Sequence, residues 1–334
     1  MITWLERWQI PLYLVALGVG AVFGLATPSA APGLEQAINP VLMVLLYATF
    51  LGVPLTRLGR ALRDGRFLAG LLVLNFAIVP VVVYGLSRFV ADDQALLLGV
   101  LLVLLAPCID YVIVFSGLAG SAHDRLLAAA PLLMLVQMLL LPAYLGLFMG
   151  PSLFEVLDVA PFLEAFLLLI VTPLVLAAIT QYLAARSASA RKLMDAMESL
   201  MVPLMMATLA VVIASQVDAV RTDLSSLLRV IPVYVGFLVV MIPLGILTGR
   251  VFSQDAPSTR ALVFSGATRN SLVILPLALA LPDPFALVAV VVVTQTLVEL
   301  VGMVTYVRLI PRLIPHHPGA RSLTTSPAPK GNPP

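Results

Sequence analysis

Two interruptions constrain this chain more than any other feature of its sequence. One reads Ala106-Pro107-Cys108-Ile109-Asp110-Tyr111 and the other Ser265-Gly266-Ala267-Thr268-Arg269-Asn270-Ser271. Each lies inside an apolar stretch long enough to cross a bilayer. Polar, helix-breaking sequence at membrane depth is tolerated only where it is buried in protein or lines a cavity. The fold must therefore enclose both interruptions with the chain's own helices.

Composition places those stretches in a membrane. Of 334 residues, 61% are hydrophobic and 11% charged, with a mean hydropathy of +1.07, far outside soluble averages. A hydrocarbon core of about 30 Å takes roughly 20 apolar residues per helix. On that rule the sequence predicts ten spans, at about 10–27, 38–54, 67–90, 95–118, 125–149, 160–184, 198–217, 227–250, 259–281 and 284–310. Residues 1–150 form a first five-helix repeat and 155–315 a second. Residues 316–334, rich in Pro, Ser and Thr, read as a disordered cytoplasmic tail. The first apolar stretch carries no cleavable-signal pattern.

Loop charge orients the spans. With the N-terminus cytoplasmic, the inside loops and tails hold 15 of the 19 Lys and Arg residues, including Arg57, Arg60, Arg63, Arg66, Arg125 and Arg260. The outside loops hold Arg88, Arg221 and Arg229. This bias predicts a multi-pass protein of the cell (inner or plasma) membrane with both termini cytoplasmic. Five spans per half turn the second half upside down relative to the first. The expected fold class is therefore an all-α polytopic membrane protein: ten transmembrane helices in two inverted-topology repeats, with helices 4 and 9 broken and crossed. Matching breaks in inverted halves point to the binding site of a secondary transporter.

Three charges lie well inside spans: Asp110, Arg269 and Glu299. Each costs about 2.5–3.5 kcal/mol or more to insert and is rare without a function. If the breaks cross, Asp110 and Arg269 are placed to pair, as a structural brace or as part of a solute site. Gln295 and Glu299 are four apart and share a helix face. Glu299 is placed either to couple an ion or to brace a break by accepting its N–H groups. Gln137 and Asn75 are supporting polar residues, as helix–helix glue or as ligands. Pro107 removes a donor and frees a carbonyl, and Gly266 is expected to supply unusual dihedrals in the second break. Half-helix N-termini offer N–H groups to anions, and C-termini offer carbonyls to cations or neutral hydroxyls.

Other classes are disfavoured. Cys108 is the single cysteine, so neither a disulfide framework nor a multi-thiolate metal cage is available. The histidines (His123, His316, His317) fall in loop or tail sequence, against a histidine metal site. No cofactor is expected, and a net charge of +2 does not suggest nucleic acid. An intramembrane aspartyl enzyme needs two membrane aspartates, and Ser–His or metal types need a membrane histidine. The expected partners are a small solute, a coupling ion and the lipid bilayer.

The stretch Cys108-Ile109-Asp110-Tyr111-Val112-Ile113-Val114-Phe115, followed by Gly117-Leu118-Ala119, resembles span four of the arsenite permease family. That family belongs to the bile acid:sodium symporter superfamily, of ten helices with crossed, broken helices four and nine. The resemblance covers spans two to ten. It implies that Cys108 is the cysteine needed for arsenite transport and that Gln137 is the span-five glutamine. Thr296-Leu297-Val298-Glu299-Leu300 resembles a proline-leucine-valine-glutamate stretch, which carries over Glu299. Ala267-Thr268-Arg269-Asn270 resembles alanine-serine-asparagine-asparagine, which carries over Asn270. The chain departs from the permeases at Pro107, where they have arginine, and at Leu272, where they have glutamate. The implied activity is efflux of arsenite through Cys108, Asp110, Arg269 and Asn270. A protonatable Asp110 or Glu299, with Gln295, would couple the ion. The competing expectation is a sodium-coupled importer of organic anions, with Arg269 meeting the anion and Glu299, Gln295 and Asn270 helping to cage sodium.

Overall fold

The computed structural model describes residues 8–52, 64–108, 111–150, 164, 167–222, 224–279 and 281–315. The expected tail, Arg57, Arg60, Arg63 and Asp110 lie outside the described residues. Within them, every regular element is a helix. In order these are α1 (Gln9–Ala26), α2 (Ala31–Gly52), α3 (Gly65–Val73), α4 (Val79–Ser87), α5 (Gln94–Leu104), α6 (Tyr111–Leu118) and α7 (His123–Met149). Then follow α8 (Thr172–Ala184), α9 (Ala188–Thr222), α10 (Leu224–Val251), α11 (Ala256–Ala267), α12 (Ser271–Leu279) and α13 (Leu287–Leu313). A π-turn over Leu74–Ile78 joins α3 to α4. Pro80 follows it and offers no N–H to the Phe76 carbonyl four residues earlier. The Tyr144 hydroxyl donates to that carbonyl.

Among the described residues, six helical stretches are long and apolar enough to cross a membrane: Pro28–Gly52, Gly65–Val90, Leu132–Met149, Ala188–Val217, Ser225–Val251 and Leu287–Leu313. Shorter apolar helices are Pro11–Ala26, Gln94–Leu104 and Thr172–Ala184. Of the four expected spans absent from the six, those at about 10–27 and 160–184 are matched only by the shorter helices Pro11–Ala26 and Thr172–Ala184, and the other two carry the interruptions. Each interruption splits its segment into half-helices, α5/α6 and α11/α12. The longest, the 12-residue α11, rises about 18 Å against a core of about 30 Å.

The outer surface of the long helices is apolar. Val81, Leu139, Leu147, Val239, Leu247 and Val301 are exposed on them, and Val22 on α1, an apolar surface suited to a membrane. The half-helices behave oppositely. Every residue of Leu96–Leu104 in α5 and of Ser258–Ala267 in α11 is buried, so the long helices sheathe them. Aspartates start both: Asp93 accepts from the Ala95 and Leu96 N–H groups, and Asp255 accepts from Ser258 N. Each satisfies backbone donors that the first turn leaves open.

The helices form two bundles. One joins α1, α2, α8 and α9, and the other α3–α7 with α10–α13. They touch where α9 meets α13 and α10, and where α2 meets α12. Within each bundle, glycines four apart bring helix backbones together, as small residues do between membrane helices. A Cβ on Gly20 or Gly24 of α1 would stand 2.6 or 2.4 Å from the Ala210 or Ala214 carbonyl oxygen of α9. On Gly245 or Gly249 of α10 it would stand 2.7 Å from Val263 Cα or 2.5 Å from the Thr259 side chain of α11.

Charged groups tie the helix ends. At one end Arg125 pairs with Asp64 at 2.8 Å and donates to Ser258 Oγ at 3.0 Å. Arg260, counted above among loop residues, is instead buried inside α11. Its guanidinium donates to the carbonyls of Ala119, Gly120 and Ile314, clasping the ends of α6 and α13. At the other end Arg229 donates to Asp92 and holds that exposed carboxyl below its ordinary pKa, mainly through the hydrogen bond itself.

Candidate functional site

A helix bonds each N–H to the carbonyl four residues earlier, so a break releases carbonyls together with N–H groups. At the first break Pro107 has no N–H. Cys108 N donates across to Thr268 O at 3.3 Å, leaving Leu104 O without its helical donor. At the second break Arg269 N donates to Glu299 Oε2 at 2.8 Å and Asn270 N to Ala106 O at 2.8 Å. The Ser265 and Gly266 carbonyls are released in the same way. The breaks therefore cross as an antiparallel bridge between Pro107 and Arg269.

Arg269 takes up all three released carbonyls. Its Nη1 donates to Leu104 O at 3.2 Å. Its Nη2 lies 2.7 Å from Ser265 O, 2.8 Å from Gly266 O and 2.9 Å from Asn75 Oδ1. The side chain is 0% exposed, and its guanidinium carbon lies 5.4 Å from the Phe237 ring centre, a cation–π distance. Asn75, in the π-turn, donates in turn to Leu71 O and Ser265 Oγ. Burying a guanidinium costs several kcal/mol. Hydrogen bonds to a charged group contribute about 1.5–3 kcal/mol each, and the C-terminal poles of α5 and α11 favour a cation. Together these offset the cost.

The carboxyl group sits at the opposite pole. Glu299 accepts from the N–H of Arg269 beside the head of α12, and from Gln295 Nε2 one turn earlier on α13. A carboxylate at a helix N-terminus is favourably placed. Asn270 Oδ1 caps α12 by accepting from Val273 N at 3.3 Å. Thr296 Oγ1 donates to Ser271 Oγ at 2.7 Å.

The structure thus brings Cys108, Arg269, Asn270, Gln295, Glu299 and Asn75 to one crossing. Cys108 is fully buried. Gln295 spends its amide N–H on Glu299, and its Oε1 is buried with no protein partner. Gln137 is buried on α7, its Oε1 likewise without a partner. The expected Asp110 partner for Arg269 lies outside the described residues; the guanidinium described here turns onto released carbonyls and Asn75.

Gly266 corrects an expectation. It stays helical at the end of α11, and its use is space. A Cβ there would stand 2.8 Å from Met241 Cε and 2.9 Å from Leu74 Cδ2. Sequence reasoning gave no role to Leu104, to Phe237 or, within the second break, to Ser265. Leu104 and Ser265 were findable, each lying four residues before a break residue; Phe237 has no local signal.

A family model described as the Sodium Bile acid symporter family matches residues 39–223, more than half of the chain. The match runs from α2 through the first break to the end of α9. None of the curated proteins matches. With that match, a lipid-suited surface and two half-helix pairs meeting inside the protein, the chain belongs to the sodium bile acid symporter family, a family of membrane transporters.

Proposed function

We propose that the protein is a secondary active transporter that exports a small neutral, hydroxyl-bearing solute of the arsenite type, coupled to protons. The observation that carries this reading is Gln295. Its donor is taken by Glu299, while its Oε1 is a buried acceptor that the protein leaves unused. Such an acceptor is costly unless a donor reaches it. A neutral trihydroxide supplies donors, whereas the charged group of an organic anion supplies only further acceptors. Arg269 strengthens the case, because its guanidinium is already engaged by four oxygens.

In this reading Cys108 supplies one sulfur contact to a thiophilic centre. Asn270, Asp110 and the half-helix ends hold the hydroxyls, and Gln137 and Asn75 support them. Glu299 or Asp110 carries the proton. The chain is taken as ten spans in two inverted repeats, 1–150 and 155–315. The antiparallel sense of the crossing supports that inversion, as do the aspartate caps that open α5 and α11. Transport is rocking of one bundle against the other around the crossing.

The test is arsenite accumulation in an exporter-deficient bacterial host, with expression matched. The wild type lowers accumulation, and Cys108→Ser and Gln295→Leu lose the effect. Unchanged accumulation with the wild type sinks the reading. The family match favours one alternative, sodium-coupled uptake of an organic anion. Sodium-dependent uptake of a bile-acid-type anion by the same cells would put that alternative first.

A further inference from the structure

We infer that Arg269 is a built-in cation: its guanidinium fills an oxygen set that would otherwise suit an inorganic monovalent cation, so no sodium binds at this crossing. The oxygens are the carbonyls of Leu104, Ser265 and Gly266 and the amide oxygen of Asn75, which accept from the guanidinium nitrogens at 2.7–3.2 Å. They are uncharged hard oxygens, mostly backbone, of the kind that replaces the hydration shell of an alkali cation. They come from three separate segments and converge on one buried point.

The set arises from the breaks themselves. Each carbonyl lost its helical donor because the N–H four residues later was drawn into the bridge or onto Glu299. Two helix C-termini point their negative poles at the same spot. A buried site so built requires a positive charge, and the chain provides one from residue 269 of the second break. The family description names sodium; the residues of this chain do not fit a sodium ion there. A second unit charge beside a buried guanidinium is strongly repelled, and the oxygens that would dehydrate it are already in use.

The inference deepens the transporter reading by removing sodium from the coupling at this site. Its binding claim stands on the crossing geometry and needs no transported solute. The protein is purified in detergent and its thermal midpoint read in sodium, potassium or choline chloride at constant ionic strength. The wild type is expected to show the same midpoint in all three. Arg269→Ala is expected to fall in choline and to recover saturably, by about 5 °C, with sodium, potassium or millimolar guanidinium. Arg269→Lys keeps a tethered charge and is expected to stay insensitive to sodium.

Saturable stabilisation of the wild type by sodium would overturn the inference. So would an Arg269→Ala protein that responds to none of the three cations. Where Arg269→Ala does not fold, the wild type and Arg269→Lys decide: insensitivity of both to sodium supports the built-in cation, and sensitivity of either overturns it. Failure of arsenite transport leaves these readings untouched.

Discussion

Asn75 and Arg269 stand 194 positions apart in the chain and meet at 2.9 Å, amide oxygen to guanidinium. The contact joins the π-turn between α3 and α4 to the break between α11 and α12. It makes Asn75 the one side-chain oxygen among the guanidinium acceptors named above. Replacing it with leucine, which keeps the branch at Cγ but is larger, removes that acceptor and the donors to Leu71 and Ser265. A hydrogen bond to a charged group contributes about 1.5–3 kcal/mol. The thermal midpoint of Asn75→Leu should fall by about 3–10 °C. A midpoint within about 1 °C of wild type would show that the guanidinium does not depend on Asn75.

Glycine positions on α1 give a paired test. Gly24→Ala forces a Cβ to within 2.4 Å of the Ala214 carbonyl, whereas the same change at Gly18 meets nothing within 4 Å. Overpacking costs typically about 1–3 kcal/mol. Gly24→Ala should reduce the folded yield and midpoint in detergent, and Gly18→Ala should leave both unchanged. Equal behaviour of the two would refute backbone contact between α1 and α9.

The arginine clasp predicts coupling between two residues. Gly120 has φ +64°, and a Cβ there would stand 2.9 Å from Arg260 Nη1. Gly120→Ala should destabilise by about 1–3 kcal/mol from its backbone conformation alone, and more from the crowding. In an Arg260→Ala background the crowding is gone while the backbone cost stays. The double variant should therefore lose less than the sum of the singles, and strict additivity would argue against the contact.

At the opposite end, Asp92 and Arg229 set a pH dependence. The carboxyl is held below its usual value by the Arg229 hydrogen bond, so the stabilisation exists above the ordinary aspartate range. It is lost as pH falls through the depressed value. Wild type should be slightly more stable than Asp92→Asn at neutral pH, and the difference should close in acid. Both groups are exposed, so the effect is small and should shrink with added salt. A gap that persisted in acid would contradict the pairing.

The breaks were legible because Pro107 and the polar run from Thr268 to Asn270 interrupt otherwise apolar helices. Gln295 and Glu299 were legible as a pair through their four-residue spacing, which the hydrogen bond between them bears out. Bracing of a break by Glu299 was one of two roles open to it, and its bond to Arg269 N supplies that geometry. The direction of the Arg269 side chain was not readable. It follows from which N–H groups the bridge captures, a three-dimensional matter. Arg260 misled for a related reason: near a predicted span end it counts as loop charge, yet its guanidinium reaches carbonyls at the ends of two other helices. Gly266 looked like a conformational hinge, and its actual constraint comes from Met241 and Leu74 on neighbouring segments.

The glycine contacts also divide the molecule mechanically. Gly20 and Gly24 bring α1 onto α9; Gly99, Gly245, Gly249, Gly266 and Gly302 meet partners among α10, α11 and α13 and the π-turn. Each of these tight approaches stays inside one bundle. Across the seam, where α9 and α2 face α13, α10 and α12, no described glycine makes such an approach. Backbone meets backbone at Gly20, Gly24 and Gly245, all inside the bundles, so a shift within either bundle has main chain to clear, whereas at the seam the described glycines place no such obstacle.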